Sequence, residues 1–379
     1  MKKLISVLLA LTMILALVAC GGTEKPAETP AEKPAETPAE TPAEAPANDY
    51  KPVKLVASSQ FVPADPFNTE FWVLFEELVA EKTDGKLTFD YQLNAALGGA
   101  AEQLEIASTG MADIAICTTA LFKGQLPISY LTEFPAFVAS TEAGSQAMTQ
   151  FLQEGWADEE YSKLGLIPLG MLHTGEGGIS LMDHPIDTLA GFKGHELRGN
   201  AMNCEVTNLW GGTGVYIATN ETYEAMRSGI VTGAVLGAGG HSSLTLDTIC
   251  EYYTYLPVFS AGFLAVMNQE SFDKLPAEWQ TALLEAFDEA FDAASWCADL
   301  GSQKTYQHLK ERGIEVDVLT DEEYAEMESI AASMGDAYAA ELDAQGLKGT
   351  EALARFREIL AECNEKYPTC RSGIEEFLK

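Results

Sequence analysis

Three short apolar runs decide the fold: Val53-Lys54-Leu55-Val56-Ala57, Leu87-Thr88-Phe89-Asp90-Tyr91 and Asp113-Ile114-Ala115-Ile116-Cys117. In the second, apolar and polar residues alternate, the period of a half-buried strand. Between the first two lies a helical pattern. Asn68 reads as its N-cap, Phe71, Leu74, Phe75, Leu78 and Val79 share one face, and Thr83-Asp84-Gly85 stops it. A second helix runs from Leu97-Gly98-Gly99 to Gly110. Strand, helix, strand, helix, strand predicts an α/β domain on a mostly parallel sheet. Ligands bind such sheets beyond the carboxyl ends of the strands. Gln60, Thr118 and Thr119 stand at those ends and are ligand-binding candidates.

Downstream, a helical stretch over 141–163 leads to a strand, Leu166 to Met171, and Ile179-Ser180-Leu181 begins a second domain. Glu196-Leu197-Arg198 is a short strand ending on a cation, with a helix from Cys204 to Trp210 behind it. Thr219 or Asn220 caps a helix that Gly229 closes, and Ile230-Val231 opens another strand. Gly237 to His241 forms a loop before a short helix. Gly262 to Asn268 is strand-like, and Ser271 to Gln280 starts a long helix running past Leu300. Ile314 to Leu319 is a late strand, and two acidic helices finish the chain. An arginine at a strand tip can clamp a carboxylate, because its planar donors meet the two oxygens together. Taken alone, such an arginine is more often a structural ion pair.

The chain begins with Lys2 and Lys3, an apolar run from Leu4 to Val18, and then Leu17-Val18-Ala19-Cys20-Gly21. A basic start, a short apolar segment and small residues describe a signal peptide over 1–19. A transmembrane anchor fits less well, since the run is short and lacks a basic flank beyond it. Cys20 sits where a lipoprotein carries its lipid, and more than one acyl chain there would anchor the protein stably. Over 20–49 prolines recur at 26, 30, 34, 38, 42 and 46 among Ala, Glu, Thr and Lys. Proline at that density removes any helix. From Thr23 to Ala47 this repeat would reach on the order of 70 Å at about 3.1 Å per residue.

The 379 residues allow two domains, and the formal charge of −34 makes nucleic acid a poor partner. Surface acidity does not exclude a small anion, because a buried arginine sets its own local field. Seven cysteines include no Cys-x-x-Cys, and no His-x-x-x-His is present, so no metal or redox motif stands out and no cofactor is expected. Cys363 and Cys370 flank a Tyr-Pro turn and either pair or stay free. His173, His184, His195 and His241 have no Gly-x-Ser-x-Gly beside them and read as ordinary histidines, with His173 and His241 placed near candidate pocket loops. Gly211-Gly212-Thr213-Gly214 lacks the Gly-Lys of a phosphate loop and reads as a turn. The acidic pairs on helices, such as Glu102 with Glu105, read as solvated faces.

Pro185-Ile186-x-x-Leu189-x-Gly191-x-Lys193-Gly194-x-x-Leu197-Arg198, followed by Glu221-x-Tyr223-x-Ala225-Met226-x-x-Gly229-Ile230-Val231-x-Gly233, resembles the DctP-type solute-binding proteins of TRAP transporters. Thr83-Asp84-Gly85-Lys86, Leu97-Gly98-Gly99, Gly110-Met111-Ala112-Asp113, Phe134-Pro135-Ala136-Phe137 and the 266–280 run extend the resemblance over nearly all of the chain after the linker. The resemblance implies a two-domain periplasmic-binding-protein-like α/β fold (type II) with a long domain-spanning helix. Lobe I would hold about 51–175 and 262–300, and lobe II about 176–261 and 301–379. It implies that Arg198 grips a substrate carboxylate, that a membrane permease of TRAP type is the partner, and that the module works outside the cytoplasm without catalysis. Asn200, Thr219, Leu236 and His173 join Gln60, Thr118 and Thr119 as expected ligand contacts. The chain departs from the family in three places: Gly178 stands where a second arginine is usual, Leu236 replaces an asparagine, and Thr219 takes an aromatic position. Those departures suggest a ligand with one carboxylate and an apolar body, whereas the default that the resemblance implies is a small organic acid such as a dicarboxylate. An ABC-type or sensory carboxylate-binding lipoprotein, or an exported hydrolase, remain the alternatives.

Overall fold

Strand β1 (Val53–Ser58) buries Leu55 and Ala57 and pairs in parallel with β2 (Leu87–Gln92) and β3 (Ile114–Thr118). The remaining strands, in chain order, are β4 (Leu166–His173), β5 (Gly177–Leu181), β6 (Glu196–Gly199), β7 (Thr213–Tyr216), β8 (Gly233–Gly237), β9 (Tyr252–Leu256), β10 (Gly262–Asn268) and β11 (Val316–Asp317). These are residues of a computed structural model that describes 50–377. The signal segment, Cys20 and the Pro/Ala/Glu linker lie outside the described residues.

Two sheets result, ordered β2-β1-β3-β10-β4 and β11-β9-β5-β8-β6-β7. Their pairing decides where a ligand can sit. Strand β10 is antiparallel to both β3 and β4, so β4 runs the same way as β1 to β3. Ser58, Thr118 and His173 therefore end at one edge of the first sheet, where β10 begins at Gly262. In the second sheet β6, β7 and β8 are parallel, and β5 is antiparallel to β8 and β9. Gly199, Tyr216, Gly237 and Leu256 end at one edge, where β5 begins at Gly177. Residues 174–176 and 257–261 are the short crossovers that join these two edges.

The helices are α1 (Val73–Lys82), α2 (Gln103–Ser108), α3 (Thr141–Gln153), α4 (Asp158–Lys163), α5 (Ala201–Leu209), α6 (Thr222–Arg227), α7 (Ala238–Ser243), α8 (Gln269–Asp273), α9 (Ala277–Ala294), α10 (Ala298–Arg312), α11 (Asp321–Ala344) and α12 (Gly349–Lys366). Helices α1 and α9 cover one face of the first sheet, with Phe75 and Phe287 edge to face at 5.7 Å. Burial of such rings dominates a core of this kind. On the second sheet α10 crosses α7 closely because Gly301 faces Gly239, where an added Cβ would stand 3.1 Å from the facing Cα.

Several sequence expectations shift by a few residues or more. Asn68 is not an N-cap: it lies inside a π-type turn, Phe67–Trp72, that precedes α1, and its amide donates to the Val62 carbonyl at 2.7 Å. The expected long helix is interrupted at Ser295–Cys297, where Ser145 Oγ donates to the Ser295 carbonyl at 2.9 Å. The strand expected from Ile230 starts at Gly233, and the late strand is only Val316–Asp317. Grouping 301–379 with the second lobe also fails for the final helices. Helix α12 packs along α3, beside the first sheet, and α11 packs on α12. Cys363 and Cys370 are both free thiols. Among the described residues no helix is long and apolar enough to cross a membrane.

Gly214 shows how tightly the second sheet is covered. A Cβ there would lie 2.3 Å from Cys204 Cα and 2.4 Å from its carbonyl oxygen. Backbone of α5 cannot yield as a side-chain tip can. Gly214→Ala is expected to destabilise the protein by about 1–3 kcal/mol through overpacking, read as a lower denaturant midpoint; an unchanged midpoint would contradict this packing.

Candidate functional site

Arg198 stands one residue before the end of β6, in register with Val215 of β7 and Ala234 of β8. The strand is short because Gly199 must pass close to α5, where a Cβ would meet Asn203 Cβ at 2.7 Å. Asn200 then caps α5, its side chain accepting from the Asn203 N–H at 2.8 Å. The Arg198 side chain is 4% exposed. Its Nε donates to the Ile217 carbonyl at 3.0 Å and its Nη2 to Thr219 Oγ1 at 2.9 Å. Among the described residues Nη1 makes no hydrogen bond, and no carboxylate lies within 4.0 Å of the guanidinium. Burial pulls its pKa down to about 10, which still leaves a full charge at neutral pH. A buried cation held by neutral acceptors, with one nitrogen unused, can receive an anion.

Across the crossovers, the first sheet presents Gln60 and Thr118. Gln60 Nε2 donates to Thr118 Oγ1 at 3.1 Å, while Gln60 Oε1 is buried without a partner. Phe263 is paired with Thr118 in the sheet register. Its ring lies 4.6 Å from that of Phe61 and 5.2 Å from that of Phe67, so three aromatic rings flank the same edge. The two edges approach each other where α5 packs against the Thr119–Leu121 turn.

The other expected contacts are placed less favourably. Thr119 is wholly buried, and its hydroxyl points to the Gly262 carbonyl at 3.4 Å. His173 packs onto α3, where a Cβ on Gly144 would strike its ring at 2.6 Å, and burial pushes its pKa down to about 4. It is a neutral core histidine, accepting from the Gly175 N–H at 3.1 Å. Asn200 is spent as a helix cap. Leu236 is tucked under α7, with its Cδ1 2.4 Å from where a Gly240 Cβ would be. His241 is buried too; its Nδ1 meets Ser180 Oγ at 2.7 Å, and burial first, with Arg198 contributing, pushes its pKa down to about 3.

Tyr253 belongs to the run Tyr252-Tyr253-Thr254-Tyr255, which the sequence alone reads as a packed strand or domain crossing that could line the cleft. A Cβ on Gly178 would lie 1.9 Å from the Tyr253 hydroxyl, so that phenol occupies the room a side chain at 178 would need. The signal was the tyrosine-rich run 252–255, but only the pairing of β5 with β9 brings it beside Gly178. Surface hollows of 380 and 820 Å³ lie along α11 and α12 and beside Tyr255 and Val316, sharing Phe137 and Glu328. Neither touches Arg198.

Two lobes with facing sheet edges, two short crossovers and a buried unpaired cation define a binding protein of the type II two-domain class. The chain belongs to the family described as bacterial extracellular solute-binding protein, family 7 (DctP), which it matches over residues 58–341. It is 28% identical over 280 residues to a solute-binding protein of Sulfitobacter sp. (strain NAS-14.1), covering 72% of this chain and 83% of that one. It is 24% identical over 285 residues to the C4-dicarboxylate-binding periplasmic protein DctP of Rhodobacter capsulatus, covering 73% and 84%. Among solved structures it is similar to a TRAP solute-binding protein from an unidentified marine microbe, specific for aromatic acids and crystallised with 3-hydroxybenzoate. That match has a TM-score of 0.75 at 19% identity and covers 83% of this chain and all (100%) of that one.

Glu133 tests how the crossover is anchored. It is wholly buried, accepts from the Gly262 N–H at 3.0 Å, and burial raises its pKa from 4.5 to about 8. The folded protein thus keeps a proton that the unfolded chain releases above about 4.5. Stability linked to Glu133 is therefore full below that pH and falls as pH rises toward about 8. Relative to wild type, Glu133→Gln is expected to gain stability steadily from pH 5 to pH 8 in urea titrations; a pH-independent difference would refute the assignment.

Proposed function

We propose that this protein is the extracytoplasmic receptor of a TRAP-type transporter, and that it captures a small carboxylate on Arg198 as its two lobes close. The observation that carries the reading is the buried guanidinium without a counter-charge. An anion between the lobes would supply it, taking the free Nη1 and placing its body against Gln60, Thr118 and the Phe61–Phe263 rings. Thr219 acts as the second-side brace, holding Nη2 so that the fork faces one way. Closure about residues 174–176 and 257–261 would exclude water and strengthen the charge pair. The role is capture without turnover, in keeping with relatives described as solute-binding proteins.

The ligand proposed is a monocarboxylate with an apolar, preferably aromatic, body. Tyr253 closes the space beside Gly178, which leaves Arg198 to meet a single carboxylate. The aromatic-acid ligand of the marine relative supports this chemistry, whereas the name of the Rhodobacter relative points to dicarboxylates. Delivery would be to paired integral-membrane permease subunits. Lipid on Cys20 and the proline-rich linker would hold the receptor at the outer face of the membrane.

Calorimetry with aromatic monocarboxylates and with C4 dicarboxylates is the test. A monocarboxylate is expected to bind, and Arg198→Ala to cost about 3–5 kcal/mol of binding, because the ligand charge loses its buried partner. Binding of dicarboxylates alone would overturn the ligand class. Unchanged affinity in Arg198→Ala would overturn the clamp.

A further inference from the structure

The geometry points to a second site, for a divalent transition-metal ion of the zinc class, formed by Asp183, His184 and His195. It lies at the opposite end of β6 from Arg198. Strand β5 leaves the cleft edge at Gly177 and ends at Leu181, so Asp183 and His184 follow it at the far edge. Gly194, at φ +97°, turns the chain so that His195 enters β6 directly beneath that loop.

Asp183 Oδ1 stands 3.2 Å from His184 Nδ1 and 3.8 Å from His195 Nδ1. The donor atoms of all three lie within 4.8 Å of one another. Zinc bonds of about 2.0–2.1 Å in a tetrahedron set ligand-to-ligand distances of about 3.3 Å. The two carboxylate-to-imidazole separations therefore lie within about half an ångström of that distance. Two imidazoles and a carboxylate, with a fourth position open, match the ligand set that binds zinc at its open sites.

The protein also holds the site in the required way. The His195 side chain is wholly buried, and its Nδ1 meets Thr232 Oγ1 at 3.0 Å, so one ligand is fixed. That threonine hydroxyl is not stranded if the metal takes Nδ1, because it also bonds the Glu196 backbone. Metal on Nδ1 requires the His195 proton to move to Nε2, which is buried. His184 and Asp183 are about half exposed and free to swing. The His184 ring stacks on that of His195, centroids 3.8 Å apart at 26°, so the exposed His184 must turn off this stack for both lone pairs to converge on one ion.

Chelator-stripped protein titrated with Zn²⁺ by calorimetry tests the proposal. One ion per chain is expected, with micromolar or tighter affinity and a raised melting temperature. His184→Ala and Asp183→Ala, both exposed and therefore tolerated by the fold, should each weaken binding at least tenfold, while Arg198→Ala should leave it unchanged. Binding only at millimolar Zn²⁺, or binding unaltered in both exposed variants, would overturn the site; the second result would place the ion elsewhere, such as at Cys204. Because the Arg198 variant is scored separately, failure here leaves the carboxylate reading intact.

Discussion

A guanidinium buried without an opposing charge is the constraint around which the rest of this structure is arranged. Taking a cation out of water costs several kcal/mol even after relaxation. Two neutral acceptors, the Ile217 carbonyl and the Thr219 hydroxyl, offset only part of that cost for Arg198. Helix α5 cannot swing away to solvate it, because Gly199 and Gly214 bring strand backbone directly against Asn203 and Cys204. The site is therefore poised to gain from any anion that reaches it.

The chain passes between the two sheet edges in only a few segments. Residues 174–176 and 257–261 cross between the sheet edges, and the α9–α10 break at Ser295–Cys297 is a further interruption in a long helical run. Buried polar groups tie these segments to α10 and to the C-terminal tail. Tyr306 donates to Glu176 in the first crossover at 3.1 Å. Asp299, just after the helix break, accepts from the Arg371 N–H at 2.9 Å and bonds Thr141. Such a network is stiff when satisfied.

Much of this was legible in the residues. The period of the apolar runs at 53–57, 87–91 and 113–117 gave a parallel sheet, and Arg198 stood out at a strand tip. What escaped was everything set by non-local pairing. Nothing in the order of residues says that Tyr253 fills the space at Gly178, since that needs β9 to lie against β5. His173 sits at the end of β4, where a pocket residue belongs, yet the small Gly144 on α3 gives its ring a better place in the core. Thr119 likewise reaches the correct edge but turns inward to a carbonyl. His184 and His195 fit no metal spacing along the chain and meet only because Gly194 reverses its direction. The Asn68 boundary failed because its amide bonds the Val62 carbonyl instead of capping, and the long helix is interrupted where Ser145, from α3, takes the Ser295 carbonyl.

The most direct measurement is a crystal structure of the protein with a bound aromatic monocarboxylate. The account predicts the carboxylate within hydrogen-bond distance of Arg198 Nη1, between the two sheet edges, with Thr219 still bonded to Nη2. A ligand found outside that region, or one bound between the lobes with Arg198 left without an anion, would contradict it.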